Sequence, residues 1–205
     1  PKFFWIDFDV AKLYAKYPKG LFTNGVVRKN GVNLTLNKLI NHFCFDFNRG
    51  SKFFKRLRKF ELEYNDNPNE QAKAIRNLYE RQLKLPLVDI DLTLDEYLKW
   101  EPNADEKKKI LTAYNETYKE LPIHLDIEDR FTASLESGDI DQIKETLTQI
   151  LSNENIKLEK KINVLERSLE VDPNSSEIWE AYVDFADANI QINNTLEKIY
   201  KRALE

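Results

Sequence analysis

Residues 78–101 read LYERQLKLPLVDIDLTLDEYLKWE, and this stretch decides the fold of the chain. Its first part is predicted to end a helix, since Leu78, Tyr79 and Leu83 are spaced so that they share one helical face. Pro86 cannot continue that helix, because proline has no backbone N–H and its ring clashes with the preceding turn. The stretch therefore predicts two helices separated by a proline stop and a short acidic connection.

The second of these helices is predicted by an apolar residue at every third position. This spacing places apolar side chains on one helical face, where they can pack against a partner. The triplet occurs three times, and the first members of successive copies lie 40 and then 85 residues apart. The three copies are Phe54-Leu57-Phe60, Leu94-Tyr97-Trp100 and Trp179-Tyr182-Phe185.

The partner helices also end alike, with an arginine at the third position of each ending. These endings are Tyr79 to Leu83, Leu165 to Leu169 and Tyr200 to Leu204. Two helices in each period of about 40 residues are typical of an α-solenoid, in which stacked helix pairs bury apolar faces that one pair cannot bury alone. We therefore predict an all-α fold, an α-solenoid of antiparallel helix pairs.

The composition agrees with a soluble, helix-rich chain. Of 205 residues, 32% are charged and only five are glycine. A formal net charge of −4 does not by itself demand a nucleic-acid partner. No apolar run reaches the roughly 18–20 residues that cross a bilayer, so no membrane association is expected. The single cysteine, Cys44, excludes an internal disulfide and fits a reducing compartment.

The chain is predicted to form one repeat domain over residues 1–205 and, since it contains no methionine, to be a segment of a longer protein. Residues 18–33 hold three of the five glycines and predict an irregular loop. Pro122 is predicted to end a helix, and the weak pattern after it leaves the helix pairing between 125 and 170 open. The approximate repeat units are 1–49, 51–85, 91–121, 125–170 and 175–205.

The combined motif resembles that of the half-a-tetratricopeptide (HAT) repeat proteins of RNA processing. It consists of an aromatic triplet followed by glutamate, a Tyr-Glu-Arg-x-Leu ending and a later proline. This resemblance implies a right-handed superhelix in which the motif glutamates and arginines tie neighbouring helices together. In this chain those residues would be Glu61, Glu101, Arg81, Arg167 and Arg202.

Residues 79–100 are more closely similar to a repeat junction of the U4/U6 small nuclear ribonucleoprotein (snRNP) recycling factors, a family of nuclear splicing factors. The resemblance extends over about residues 50–190. It implies a scaffold that docks snRNP proteins and can form a homodimer, while U6 small nuclear RNA is bound mainly by domains outside this chain. A HAT domain from a U1-snRNP protein or an mRNA 3′-end-processing factor is the alternative within this class.

A basic cluster near the start of the first triplet helix is a candidate contact for RNA phosphates or an acidic partner. Lys52, Lys55 or Arg56, and Lys59 can line one helical face, opposite the apolar triplet. A solvated outer face explains the same pattern, and the two interpretations stay open from sequence alone. The cluster comprises Arg49, Lys52, Lys55, Arg56, Arg58 and Lys59.

No catalytic or cofactor-binding motif is recognisable, so we expect neither an enzyme nor a bound cofactor. His42 and His124 lack partners at metal-ligand spacing, and Cys44 near His42 does not make a zinc site. The acidic pairs are interpreted as solvated loop and helix-start residues, and Trp100 and Trp179 as core residues. Those acidic pairs are Asp89 with Asp91 and Glu128 with Asp129.

Overall fold

The computed structural model of this chain describes residues 8–26, 28–191 and 193–204. Within these ranges the chain forms ten α-helices and no strand, which confirms the all-α prediction. The helices are α1 (Phe8–Thr23), α2 (Lys29–Phe43), α3 (Ser51–Tyr64), α4 (Pro68–Gln82), α5 (Ile90–Trp100), α6 (Ala104–Ser137), α7 (Ile140–Ser152), α8 (Leu158–Val171), α9 (Ser176–Asn189) and α10 (Asn193–Leu204). None of these helices is long and apolar enough to span a membrane.

Packing divides the chain into two compact units, with the boundary between residues 125 and 126, inside α6. In the N-terminal unit, α1, α2, α3, α4 and α5 pack in succession. In the C-terminal unit, α7, α8, α9 and α10 also pack in succession, and α7 contacts α9. The prediction of a single repeat domain over 1–205 stays a prediction.

The core of the N-terminal unit is built around the first aromatic triplet. Phe54, Leu57 and Phe60 are each at most 2% exposed. Next to Phe54 in α3, the Phe53 ring stacks on that of Phe43 from α2, with ring centroids 5.1 Å apart. A second apolar cluster joins α4, α5 and α6 through Ile75, Tyr79, Leu83, Ile90, Leu94, Tyr97 and Ile110.

The core of the C-terminal unit draws on α6, α7, α8, α9 and α10. Tyr182 of the third triplet is 1% exposed, and Trp179 stacks beside it at 6.1 Å with the rings nearly parallel. Trp179 and Trp100 are only partly buried, but each packs against an apolar cluster. Trp5, the third tryptophan of the chain, lies outside the described residues.

Short polar residues fix the starts of several helices. The side chains of Asn67, Asp139 and Ser175 accept hydrogen bonds from backbone N–H groups in the first turns of α4, α7 and α9. Ser51 is instead the first residue of α3, and Gly50 holds the cap position. A Cβ on Gly50 would lie 2.7 Å from the carbonyl oxygen of Phe43, so the turn before α3 requires glycine.

The prediction of an irregular loop over 18–33 is wrong for most of that range. Helix α1 continues through Pro18 to Thr23, and α2 starts at Lys29. A proline inside a helix costs roughly 3 kcal/mol, and tertiary packing of the same segment opposes that cost. Beyond the proline, the Phe22 ring packs edge-on against the rings of Phe60 and Tyr64, which holds the last turn of α1 on the core.

The helix end predicted at Pro122 is also wrong. Helix α6 runs from Ala104 to Ser137 with Pro122 inside it. Ile127 and Phe131, at most 1% exposed, anchor the part beyond the proline in the C-terminal core. Burial of two large apolar side chains is worth roughly 3–6 kcal/mol, enough to offset the proline.

The continuous α6 also resolves the helix pairing between 125 and 170. Helix α7 packs against α8, and its buried stripe of Ile143, Leu147 and Ile150 takes the place of an aromatic triplet. From Leu94 to Ile143 is 49 residues and from Ile143 to Trp179 is 36, so the extra length lies in α6.

Candidate functional site

The ending of α10 is tied to α8 by a buried carboxylate. Both Nη atoms of Arg202 donate to the carboxylate of Glu166, at 2.8 Å each. The Tyr182 hydroxyl donates to the same carboxylate at 2.7 Å, and the guanidinium of Arg202 lies 5.1 Å from the ring centroid of Trp179. Burial, followed by the negative charge of Glu166, raises the pKa of Tyr182. The triplet helix α9 is thus joined to the tie between α8 and α10.

An equivalent tie joins α8 to α6. Arg167 donates to both carboxylate oxygens of Glu128, with nitrogen–oxygen distances of 2.9 and 2.7 Å. The Lys160 ammonium is 3.2 Å from the same carboxylate, and Arg167 lies 4.9 Å from the ring centroid of Phe131. Burial disfavours the charged form of Glu128, but these two cations outweigh it, so the pKa of Glu128 is lowered.

A third tie joins α4 to α2 through neutral side chains. Arg81 donates to the amide oxygens of Asn37 at 2.8 Å and Asn41 at 3.0 Å. Its guanidinium lies 5.7 Å from the ring centroid of Phe54, a member of the first triplet. The acceptors are amide oxygens here and carboxylates in the other two ties, but the arginine occupies the same place in the motif.

The three motif arginines share one geometry, and we call these contacts the arginine ties. Each arginine sits near the end of an even-numbered helix, stacks on an aromatic ring and reaches the even-numbered helix before it. The acceptors lie 44 and 40 residues back from Arg81, 39 back from Arg167 and 36 back from Arg202. The sequence period near 40 therefore has a direct structural counterpart in a repeated contact.

The motif glutamates form inter-helix contacts of their own. Glu101 accepts two hydrogen bonds from Arg76 of α4, one of them at 3.0 Å, and these bonds lower the pKa of Glu101. Glu61 accepts a hydrogen bond from Asn33 of α2 at 2.6 Å and lies 3.3 Å from the Lys29 ammonium. Neither glutamate pairs with a motif arginine.

Sequence reasoning missed several partners in these contacts. Glu166 stands immediately before the motif arginine Arg167, and that position in the repeat is a signal that could have identified it. Glu128 was interpreted as a solvated acid, whereas it is 3% exposed and paired with two cations. Its position inside a helix that was expected to end at Pro122 concealed it.

The basic cluster does not form one surface, because Arg58 points into the protein. Arg58 is 4% exposed and donates to the amide oxygen of Gln82. It also lies 3.5 Å from the Glu96 carboxylate and 4.1 Å from the ring centroid of Tyr79. Burial lowers the pKa of Arg58 in spite of these partners. Arg58 therefore holds α3 against α4 and α5 and is not available to a ligand.

Three more members of the cluster have internal contacts. Arg49 pairs with Asp46 in the turn before α3, and Lys55 pairs with Asp89 at 3.0 Å. Arg56 donates to the carbonyl oxygen of Lys12 at 3.0 Å, which links α3 to α1. Lys52 and Lys59 are both exposed, and their side chains lie on the same side of α3.

A groove of about 610 Å³ opens beside these lysines, within the N-terminal unit. Its walls come from α1 and α3, and its basic lining residues are Lys16, Lys52, Lys55, Arg56 and Lys59. Lys16 was not part of the predicted patch, because it is 36 residues away in sequence from Lys52. We refer to this feature as the basic groove.

The remaining candidates for chemistry lie apart from one another. His124 is buried in α6 and Cys44 follows α2, where its thiol contacts the carbonyl oxygen of Asn41. Asp89 faces Lys55 and Asp91 accepts a hydrogen bond from Tyr114, so the two carboxylates have separate partners. Among the described residues, no three His, Cys, Asp or Glu side chains are placed to hold a metal ion.

No protein-family model matches this chain, and a search of curated proteins finds no significant match.

Proposed function

We propose that this chain is an α-solenoid of HAT-like helix pairs and serves as a non-catalytic protein-interaction scaffold of a nuclear pre-mRNA splicing factor. The scaffold acts in assembly and recycling of the U6 and U4/U6 snRNPs. The observation that carries this proposal is the set of arginine ties. Each tie joins residues 36–44 positions apart, and the three ties involve Arg81, Arg167 and Arg202, the positions at which the HAT resemblance places structural arginines.

Repeated ties between alternate helices support a stacked architecture. In a solenoid each unit contacts its neighbours, so equivalent contacts recur at the repeat spacing. Other polar contacts between alternate helices agree with this, since Arg56 of α3 bonds to α1 and Lys55 of α3 pairs with α5. Arrays of this kind offer extended surfaces that suit partner proteins.

The proposed role separates protein binding from RNA binding. This chain docks snRNP proteins and can self-associate, and domains outside it contact U6 RNA. The affinity of the complete 205-residue chain for purified U6 and U4/U6 particles tests this, with U1 particles as the specificity control. Saturable binding to the U6-containing particles, with U1 particles at least roughly tenfold weaker, supports the proposal. Equal or tighter binding to U1 particles favours the HAT domain of a U1-snRNP protein instead.

Direct RNA binding is a second candidate, and the basic groove favours it. A basic surface binds phosphates with an affinity that falls steeply as salt rises. If RNA binding is the function, deproteinised U6 RNA binds as tightly as the intact particle does. Charge reversal of Lys52 and Lys59 then weakens both complexes to the same extent.

A further inference from the structure

The basic groove has an apolar floor as well as a charged rim. Ala15, Leu36 and Phe60 line it from α1, α2 and α3, and each is at most 2% exposed. Gly20 of α1 also lines the groove, and no atom lies within 4 Å of where its Cβ would be. The absent side chain leaves the groove open along that wall.

The rim of the groove is positively charged. Five of its described lining residues are basic and none is acidic. Among the described residues, Lys16 and Lys59 have no acidic partner within ion-pair distance. Arg56 is bonded to a carbonyl oxygen, which does not neutralise it, whereas Lys55 is paired with Asp89. A ligand in the groove therefore meets excess positive charge although the whole chain has a formal charge of −4.

The residues that line the groove favour an acidic peptide over nucleic acid as its ligand. Proteins that bind single-stranded RNA through a basic groove provide aromatic faces on which the bases stack. Phe60 is the one aromatic residue among the described lining residues, and its ring is buried against Phe22 and Tyr64. Aliphatic carbon atoms and lysine stems form the remaining apolar surface, which suits an aliphatic side chain.

We propose that the basic groove between α1 and α3 binds an acidic peptide segment of a partner protein, with an aliphatic side chain of that segment inserted between α1 and α3. Carboxylates on either side of the inserted residue face Lys16, Lys52 and Lys59. This deepens the proposed scaffold role, and rests on it, by assigning a partner chemistry to one surface. The snRNP binding test and the peptide test have separate readouts, so either can fail alone.

The test is a fluorescence-anisotropy titration of the full chain with three labelled probes of equal length. The first probe is a synthetic peptide of glutamates around a central Leu-Leu, the second replaces both leucines by serine, and the third is a single-stranded RNA. We expect the leucine peptide to bind at least about tenfold more tightly than either of the other probes. Equal binding of the serine peptide, or tighter binding of the RNA, overturns the proposal.

Charge-matched variants locate the binding site. The double variant Lys52→Glu/Lys59→Glu is expected to weaken the leucine peptide by about tenfold or more. The control Lys73→Glu/Lys99→Glu makes the same change in net charge at exposed positions of α4 and α5 and should alter binding less than about threefold. Circular dichroism verifies that both variants fold, and Lys16→Glu serves as a second probe from α1. Equal weakening by the groove and control variants contradicts the assignment.

Discussion

At the scale of single residues, the arginine ties show why the motif uses arginine. The planar guanidinium donates two parallel hydrogen bonds to one carboxylate and also stacks on an aromatic ring, which lysine cannot do. Arg202 uses both properties at once, on Glu166 and Trp179. A buried carboxylate held this way fixes the register of two helices more than it adds net stability, because desolvation offsets much of the attraction.

Removal of one partner from a buried pair is therefore expected to be costly. Glu166→Ala leaves Arg202 and the Tyr182 hydroxyl without their acceptor, and we expect a loss of about 3 kcal/mol in the free energy of unfolding. Glu197→Ala is the control, because Glu197 forms only a fully exposed pair with Lys201, and its removal should change stability little. Urea unfolding followed by circular dichroism measures both. Similar losses in the two variants would show that the Glu166 tie is no more than a surface pair.

The tie at Glu128 predicts a dependence of stability on pH. The pKa of this carboxyl lies below its ordinary value of 4.5, so its ionised form stabilises the fold above that pH. The contribution is lost as the pH falls through the lower, folded-state pKa. Glu128→Gln should cost about 3 kcal/mol at neutral pH, since Arg167 and Lys160 lose their counter-charge.

This deficit should shrink over the acidic range below about pH 4.5, because the wild-type carboxyl also loses its charge as the pH falls through its lowered, folded-state pKa. Unfolding free energies of both proteins across that range test the prediction. Asp129→Asn at the neighbouring exposed position is the control and should stay within about 0.5 kcal/mol of wild type. A Glu128→Gln deficit that is the same at every pH would refute the assigned ion pair.

At the scale of secondary-structure elements, α1 and α6 show packing overriding a local helix breaker. Both helices contain a proline where the sequence predicts an end, and both continue because apolar residues beyond it reach a core. Helices without an internal proline, such as α7 and α8, follow their apolar stripes closely. Local propensity is a weak prior wherever tertiary contacts lie on both sides of the breaker.

Substitution of Pro122 tests the continuity of α6. Pro122→Ala restores a backbone donor within the helix and removes the ring clash, so we expect a gain of about 1–3 kcal/mol in stability. The matched control is Pro102→Ala in the connection between α5 and α6, which should change stability by less than about 1 kcal/mol. Thermal and urea unfolding measure the difference. A loss of stability on Pro122→Ala would mean that the helix does end there.

At the scale of the whole molecule, the motif arginines could be predicted from sequence, whereas most of their partners could not. The arginines of the ties stand in a recurring local pattern, so Arg81, Arg167 and Arg202 were identifiable. Their acceptors lie 36–44 residues earlier, and only folding brings them together. The prediction that the basic cluster forms one surface was partly wrong for the same reason. Arg58 turns inward towards Gln82, and Lys16 joins the groove from another helix.

In the proposed scaffold, contacts between helices serve function by holding exposed binding surfaces in place. Polar contacts join alternate helices in each unit, among them the bond between α3 and α1 beside the groove, and we expect them to limit changes in the shape of that groove. A preformed surface binds with less loss of conformational entropy than one that must order on binding. The central claim is therefore that this chain recognises protein rather than RNA.

Comparison of the intact U6 particle with its deproteinised RNA tests that claim most directly. Dissociation constants of the full chain for both ligands are measured at about 50 and about 200 mM salt. We predict saturable binding to the particle that weakens much less with salt than RNA binding does, and weak RNA binding that falls at least about tenfold over the same interval. Tight binding of deproteinised U6 RNA that persists at the higher salt would contradict the account and identify the chain as an RNA-binding solenoid.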